Sequence, residues 1–218
     1  MNKNNYNKKT SWLTITIVAI VVLGLGYLIV KSSPQNTGQS AAVDNATDNM
    51  HGSPGAPNTA QLDALVGQPL PSIQLADKDE KTYTSVDFKG KYTVLFFNEG
   101  LMCYPACWNQ MASFGSDERF NSDQIQAISV VTDSAREWQT AIAKMPQLAK
   151  ATTLFDTDAG ASRQLGMLTT NSSMHRGSLP GHTYVVVDKD GIVRYVFDDP
   201  NMAMANDMLF NKIQELNK

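Results

Sequence analysis

The sequence predicts an α/β fold, a sandwich with a central mixed sheet flanked by helices, preceded by one N-terminal transmembrane helix. Three observations predict it. Apolar strand-like runs alternate with helical patterns in the second part of the chain. A two-strand hairpin and a final helix close the sequence. A long uncharged apolar segment lies near the N-terminus.

Residues 12–30 form this apolar segment, and its length of about 19 residues is enough to cross a bilayer as a helix. Three lysines precede it, whereas Lys31 alone follows it closely. The positive-inside bias therefore places residues 1–11 in the cytoplasm and the rest of the chain outside the membrane. The run exceeds the 7 to 15 or so apolar residues of a signal peptide, which favours an uncleaved anchor over a cleaved leader.

Residues 31–60 are rich in Ser, Pro, Gln, Asn and Gly and have almost no large apolar side chains. Such a composition predicts a flexible linker. Residues 61–218 are enough for one domain with its own core. The net charge of −3 is mild and no basic stripe is present, so the composition excludes a nucleic-acid partner.

The elements of the domain follow from apolar runs, helical spacing and turn residues. Asp133 is expected to cap the second helix, Gly166 to end the third, and an Asp-Gly turn at 188–191 to join the closing hairpin. The predicted strands lie at 82–84, 94–97, 125–131, 153–155, 183–187 and 192–197. The predicted helices lie at about 105–113, 135–145, 158–165 and 203–216.

Cys103 and Cys107 are the only cysteines, and they follow the most apolar strand, 94–97. On a helix, positions i and i+4 share one face at about 6 Å between Cα atoms, which is within disulfide reach. A loop that opens a helix also stabilises a thiolate through unpaired amide groups and the helix dipole. The pair therefore predicts thiol chemistry, either a reversible disulfide or two sulfur ligands for a soft metal ion.

Three segments in order, 66–71, 88–91 and 94–97 with the cysteines following, resemble the opening of a thioredoxin-fold redoxin. The segment 183–194 is similar to the hairpin that closes this fold. The resemblance covers about residues 62–217 and is closest to the peroxiredoxin-like redoxins of the alkyl hydroperoxide reductase/thiol-specific antioxidant family. It implies a thioredoxin-like sandwich.

Peroxide reduction is the first activity that the resemblance implies. Cys103, nearer the predicted helix start, is expected to attack the peroxide, and Cys107 to resolve the sulfenic acid into a disulfide. The family has a Thr three residues before the reactive cysteine, where this chain has Gly100, or Tyr104 if Cys107 reacts. His182 stands near the place of the family's arginine. Three arginines remain as substitutes: Arg163, Arg176 and Arg194.

Thiol–disulfide exchange is the second reading, because Cys-x-Pro-x-Cys is similar to the Cys-x-x-Cys of thioredoxin-like reductases with one residue added. Pro180 lies about two residues from the position of their cis-proline. No organic cofactor is implied. The partner is an extracytoplasmic thiol reductant or client protein that the sequence does not identify. Glu99 is a candidate proton carrier, and His175 is expected to be a surface loop residue.

Copper handling is the third reading. Sco-type copper assembly proteins share this fold and use a Cys-x-x-x-Cys pair with a distant histidine, which Cys103, Cys107 and His182 match in type and order. The sequence thus predicts a membrane-anchored, extracytoplasmic thiol-dependent oxidoreductase that cycles a Cys103–Cys107 disulfide. Copper binding by the three residues is the alternative.

Overall fold

The computed structural model describes residues 59–218. The predicted cytoplasmic tail, the transmembrane segment 12–30 and nearly all of the linker lie outside these residues. Within residues 59–218, no helix is long and apolar enough to span a membrane.

The described residues form one seven-stranded mixed sheet with helices on both faces. The strands are β1 Gln74–Ala76, β2 Thr82–Thr84, β3 Tyr92–Phe97, β4 Ile125–Val131, β5 Thr153–Phe155, β6 Thr183–Val187 and β7 Val193–Asp198. The helices are α1 Ala60–Asp63, α2 Ala106–Ser116, α3 Ala135–Lys144, α4 Gly160–Gln164 and α5 Asn206–Leu216. Short 3-10 turns, of which Gly100–Met102 matters most here, connect several of them.

The strands lie side by side in the order β2-β1-β5-β4-β3-β6-β7. β3, β4 and β5 run parallel, while β6 and β7 add an antiparallel hairpin at one edge and β1 and β2 another at the opposite edge. The predicted mixed sheet is confirmed, and the arrangement with flanking helices fits a thioredoxin-like fold.

β3 is buried on both faces, as its uninterrupted apolar sequence predicts. Val94 and Phe96 face a core that includes side chains of α2, α3 and α5. Leu95 and Phe97 point to the other side, into a core with residues of α1 and α4. Full burial of each large apolar side chain contributes about 1.5–3 kcal/mol. The central strand therefore ends at a fixed point between two packed layers.

Several predicted boundaries need correction. The cap of α3 is Ser134, which forms a capping box with Glu137, and not Asp133. α2 begins at Ala106 and extends to Ser116, beyond the expected end at residue 113. β1 was not predicted from the sequence, because its three residues, Gln74–Ala76, include no β-branched or aromatic side chain.

Candidate active site at the end of the central strand

The two cysteines lie directly beyond the carboxyl end of β3. The chain leaves Phe97, makes the 3-10 turn Gly100–Met102, and reaches Cys103 as the residue that ends this turn. Cys107 is the second residue of α2. The expectation that both cysteines share one helix face is therefore wrong, since Cys103 lies outside the helix.

The predicted proximity of the sulfurs is nevertheless confirmed. Cys103 and Cys107 form a disulfide, with 5.4 Å between their Cα atoms. The amide of Cys107 donates to the carbonyl of Cys103 at 3.0 Å, which closes the turn between them. Both cysteines are buried, but the neighbours of Cys103 are not: Met102 is 58% exposed and Tyr104 66% exposed.

His182 meets the cysteines because of strand pairing. β3 and β6 are antiparallel, and Phe97 is the register partner of Thr183. The residue before β6 therefore lies beside the loop that follows β3. His182 is fully buried, and its Nδ1 lies 3.3 Å from Sγ of Cys107.

The other ring nitrogen of His182, Nε2, lies 2.7 Å from the hydroxyl of Tyr184. Burial lowers the pKa of His182 to about 4, so the imidazole is neutral at neutral pH. Burial also raises the pKa of Tyr184, which keeps its hydroxyl protonated. Tyr184, His182 and Cys107 thus form a buried chain of hydrogen-bonding groups. The position of the single imidazole proton decides which nitrogen of His182 donates a hydrogen bond and which accepts one.

Glu99 has a structural task that its position in the sequence did not reveal. Its carboxylate is only 1% exposed and accepts hydrogen bonds from the amides of Met174 (2.6 Å) and His175 (3.0 Å). Nδ1 of His175 also lies 2.9 Å from it. Glu99 therefore holds the loop around residue 175 against the cysteine loop. His175 is exposed in that loop, as expected from the sequence, and its ring also contacts Glu99.

Gly100, three residues before Cys103, is a glycine for a physical reason. Its φ is +55°, and a Cβ here would overlap with Oδ2 of Asp133. That carboxylate accepts from the amide of Leu101 at 3.0 Å, and burial raises its pKa. Asp133 thus holds the 3-10 turn before Cys103 and leaves no room for a side chain at position 100.

The three candidate arginines lie in different places. Arg194 pairs with Asp188 at the base of the closing hairpin. Arg163 is exposed on α4. Arg176 alone of the three lines a pocket that also contains Ala106, the residue before Cys107. The cis peptide bond within residues 59–218 is Tyr104–Pro105, so Pro180 is not a cis-proline.

The structure brings together all three predicted site residues. One sulfur from each cysteine and one nitrogen of His182 lie within 4.8 Å of one another, and all three residues are buried. Tyr184 was missed at the level of sequence. Strand alternation could have found it, because it stands two residues after His182 and residues at that spacing share a face.

Comparisons of sequence and of structure with known proteins all show similarity to peroxiredoxins. The sequence pattern of the AhpC/TSA family matches residues 66–196. Peroxiredoxin Q of Triticum aestivum chloroplasts is 32% identical over 61% of this chain, and that of Populus jackii 30% over 65%. The matches span 58% and 64% of those two proteins. The reduced 2-Cys peroxiredoxin of Plasmodium vivax has a similar fold, with a TM-score of 0.58 and 17% identity over 70% of this chain and 96% of its own.

Proposed function

This chain belongs to the AhpC/TSA family, and on that premise we propose that it is a thiol peroxidase that reduces hydroperoxides through a Cys103–Cys107 disulfide cycle. One observation carries the proposal. The disulfide lies at the end of the central strand with the neutral imidazole of His182 against one of its sulfurs. A second thiol within bonding distance of the first allows a sulfenic acid to be resolved inside one chain.

Cys107 is the better candidate for the peroxide-attacking thiolate, contrary to the choice of Cys103 from the sequence. That choice depended on the helix start, and the helix start is at Ala106. Cys107 therefore lies in the first turn of α2, where the positive end of the helix dipole stabilises a thiolate. Cys103 is outside this turn and is the resolving thiol.

His182 is positioned to support the Cys107 thiolate. When the hydroxyl of Tyr184 donates to Nε2, the neutral ring carries its proton on Nδ1 and donates it to Sγ of Cys107. Hydrogen bonds to a charged acceptor are about twice as strong as neutral ones. The geometry thus supplies a donor near the place of the family arginine.

The cycle proceeds in three steps. The Cys107 thiolate attacks one oxygen of the hydroperoxide; an S–O bond forms, the O–O bond breaks, and the leaving oxygen takes a proton from water to give an alcohol or water. The Cys103 thiol then attacks the sulfenic sulfur, so that the S–S bond forms and water leaves. Two equivalents of an external thiol reduce the disulfide and are themselves oxidised to a disulfide.

The reductant and the location belong to the same proposal. The lysines before residues 12–30 support an anchor with the redox domain outside the cytoplasm, where a thiol reductant has to meet it. Met102 and Tyr104, exposed on either side of Cys103, give this reductant a side of approach. Attack on Cys103 releases Cys107, the better stabilised thiolate, as the leaving group.

Rapid mixing of the reduced full chain with hydrogen peroxide, under anaerobic conditions, tests this function. We expect thiol loss at a rate at least about 100-fold above that of free cysteine, ending in the intramolecular disulfide. Stabilisation of the thiolate and positioning of the peroxide each raise the rate. Fluorescence of Trp108, next to Cys107 in the sequence, gives a second signal. A rate equal to that of free cysteine would refute the peroxidase.

Copper binding is the second candidate, favoured by the cluster of Cys103, Cys107 and His182 within 4.8 Å. Two thiolates and an imidazole suit copper(I). The residues fit such an ion, since Nδ1 of His182 faces the sulfur while Nε2 is held by Tyr184, an arrangement typical of a ligating histidine.

Titration of the reduced protein with copper(I) against a competing chelator checks this alternative. We expect His182→Ala to weaken binding about tenfold or more, since one of three ligands is lost. His175→Ala is the matched control, because His175 lies outside the cluster, and it should leave the affinity unchanged. Equal affinity of wild type and His182→Ala would remove His182 from any copper site.

A further inference from the structure

A pocket of about 560 Å³ lies beside the start of α2. Ala106 forms part of its wall, and the next residue is Cys107. The segment 171–176 and the segment 200–202 form the rest. The volume lies within the range of about 300–1,000 Å³ that is typical of small-molecule sites.

Arg176 is the charged residue that lines this pocket. Its Nε is buried and has no hydrogen-bond partner among residues 59–218. The ion pairs of the described residues involve other side chains, so no carboxylate neutralises this guanidinium there. A buried donor without an acceptor costs about 1–3 kcal/mol, more for charged groups. The pocket is therefore lined by a guanidinium that has no anionic partner among the described residues, which suits a negatively charged ligand.

The backbone on both sides of Arg176 is held in place. On one side, the amide of His175 donates to the carboxylate of Glu99. On the other, the amide of Gly177 donates to the carbonyl of Leu168 at 2.7 Å. Glu99 itself is engaged by His175 and the Met174 amide. Because these contacts fix the loop before any ligand arrives, little ordering remains to be done on binding.

The other walls are mixed. Met174 and Met202 supply apolar, adaptable surface, and Asn171 and Asn201 supply amide groups. A ligand suited to this pocket has a small apolar body and one anionic end. A carboxylate matches the planar fork of a guanidinium, which can bind it with two parallel hydrogen bonds.

We propose that Arg176 binds the carboxylate of an anionic organic hydroperoxide, so that this protein reduces carboxylate-bearing hydroperoxides in preference to neutral ones of the same shape. The inference rests on the proposed peroxidase function and names its substrate class. The chemistry is unchanged: the O–O bond breaks at Cys107, the alcohol of the substrate leaves, and Arg176 holds the distant carboxylate as a positioning residue.

A matched pair of substrates tests the proposal with the reduced full chain. The pair is cumene hydroperoxide and its para-carboxylate derivative, which differ only in the anionic group. We expect wild type to react with the carboxylate about tenfold faster or more in kcat/KM, as one charged hydrogen-bonding contact provides. In Arg176→Gln this ratio should fall to about one, and Arg176→Lys, which keeps the charge without the fork, should lie between.

Arg163→Gln is the control. Arg163 is an exposed arginine on α4, and its substitution removes the same charge from the protein. Its ratio should equal that of wild type. A wild-type ratio near one, an unchanged ratio in Arg176→Gln, or an equal fall in Arg163→Gln would each overturn the proposal.

Binding of 4-isopropylbenzoate, an unreactive analogue, separates this inference from the peroxidase function. Calorimetric titration should show binding to wild type that Arg176→Gln weakens about tenfold or more. If neither hydroperoxide reacts faster with the protein than with free cysteine, the peroxidase fails. If both react but the carboxylate brings no advantage and the analogue does not bind, only the anionic pocket fails.

Discussion

Replacing Cys107 by Ser is expected to abolish hydroperoxide reduction, whereas Cys103→Ser is expected to perform one oxidation and stop with a sulfenic acid on Cys107. The reason is the position of each sulfur. Cys107 lies in the first turn of α2 with Nδ1 of His182 at 3.3 Å, while Cys103 ends the preceding 3-10 turn. Loss of the attacking nucleophile costs about 1,000-fold or more in rate.

The measurement is rapid mixing of each reduced variant with one equivalent of hydrogen peroxide, followed by a sulfenic-acid-specific label and mass spectrometry. Cys103→Ser should lose its thiol at nearly the wild-type rate and carry the label on Cys107. The two serine variants are matched controls for each other, since each removes one sulfur from the same bridge. A label on Cys103 in Cys107→Ser, formed at the wild-type rate, would restore the assignment made from the sequence.

Gly100→Ala is expected to lower the free energy of unfolding by about 3 kcal/mol or more. A non-glycine residue at positive φ costs about 1–2 kcal/mol. The new Cβ would also overlap with Asp133, and displacing that carboxylate weakens its bond to the Leu101 amide. Such overpacking costs about 1–3 kcal/mol.

Thermal and urea unfolding measure this effect, and the midpoint should fall by about 10 °C for a domain of this size. Gly90→Ala is the matched control, because Gly90 has a similar φ of +88° but nothing within 4 Å of a built Cβ. Gly90→Ala should therefore lower the free energy of unfolding only by the cost of backbone strain. Adding Asp133→Ala to Gly100→Ala should recover part of the loss. Equal destabilisation by the two glycine substitutions would show that the contact with Asp133 contributes nothing.

The Gly100 contact explains why a glycine stands three residues before Cys103. No side chain can stand where Asp133 fills the space over the backbone. Asp133 was expected to cap α3, because it precedes the helix and Asp is a common cap. Ser134 takes that role with Glu137, which frees Asp133 to hold the cysteine loop. Asp133 and Ser134 are both common capping residues, and local propensity does not show which of them caps α3.

Local sequence signals predicted the order of most strands and helices and the location of the thiol pair. Apolar runs such as β3 and the hairpin turn at 188–191 are local signals, because side-chain period and turn chemistry depend on neighbours in the chain. The disulfide was equally readable, since four residues of chain keep two sulfurs within reach whatever surrounds them.

The difference between the two thiols depends on tertiary contacts. The pairing of β3 with β6 brings His182 against Cys107, and the loop held by Glu99 carries Arg176 to a pocket beside α2. These contacts join residues about 75 positions apart in the chain, and burial lowers the pKa of His182 only when the sheet and helices enclose it. Long-range pairing and desolvation are properties of the packed fold, so no local pattern contains them.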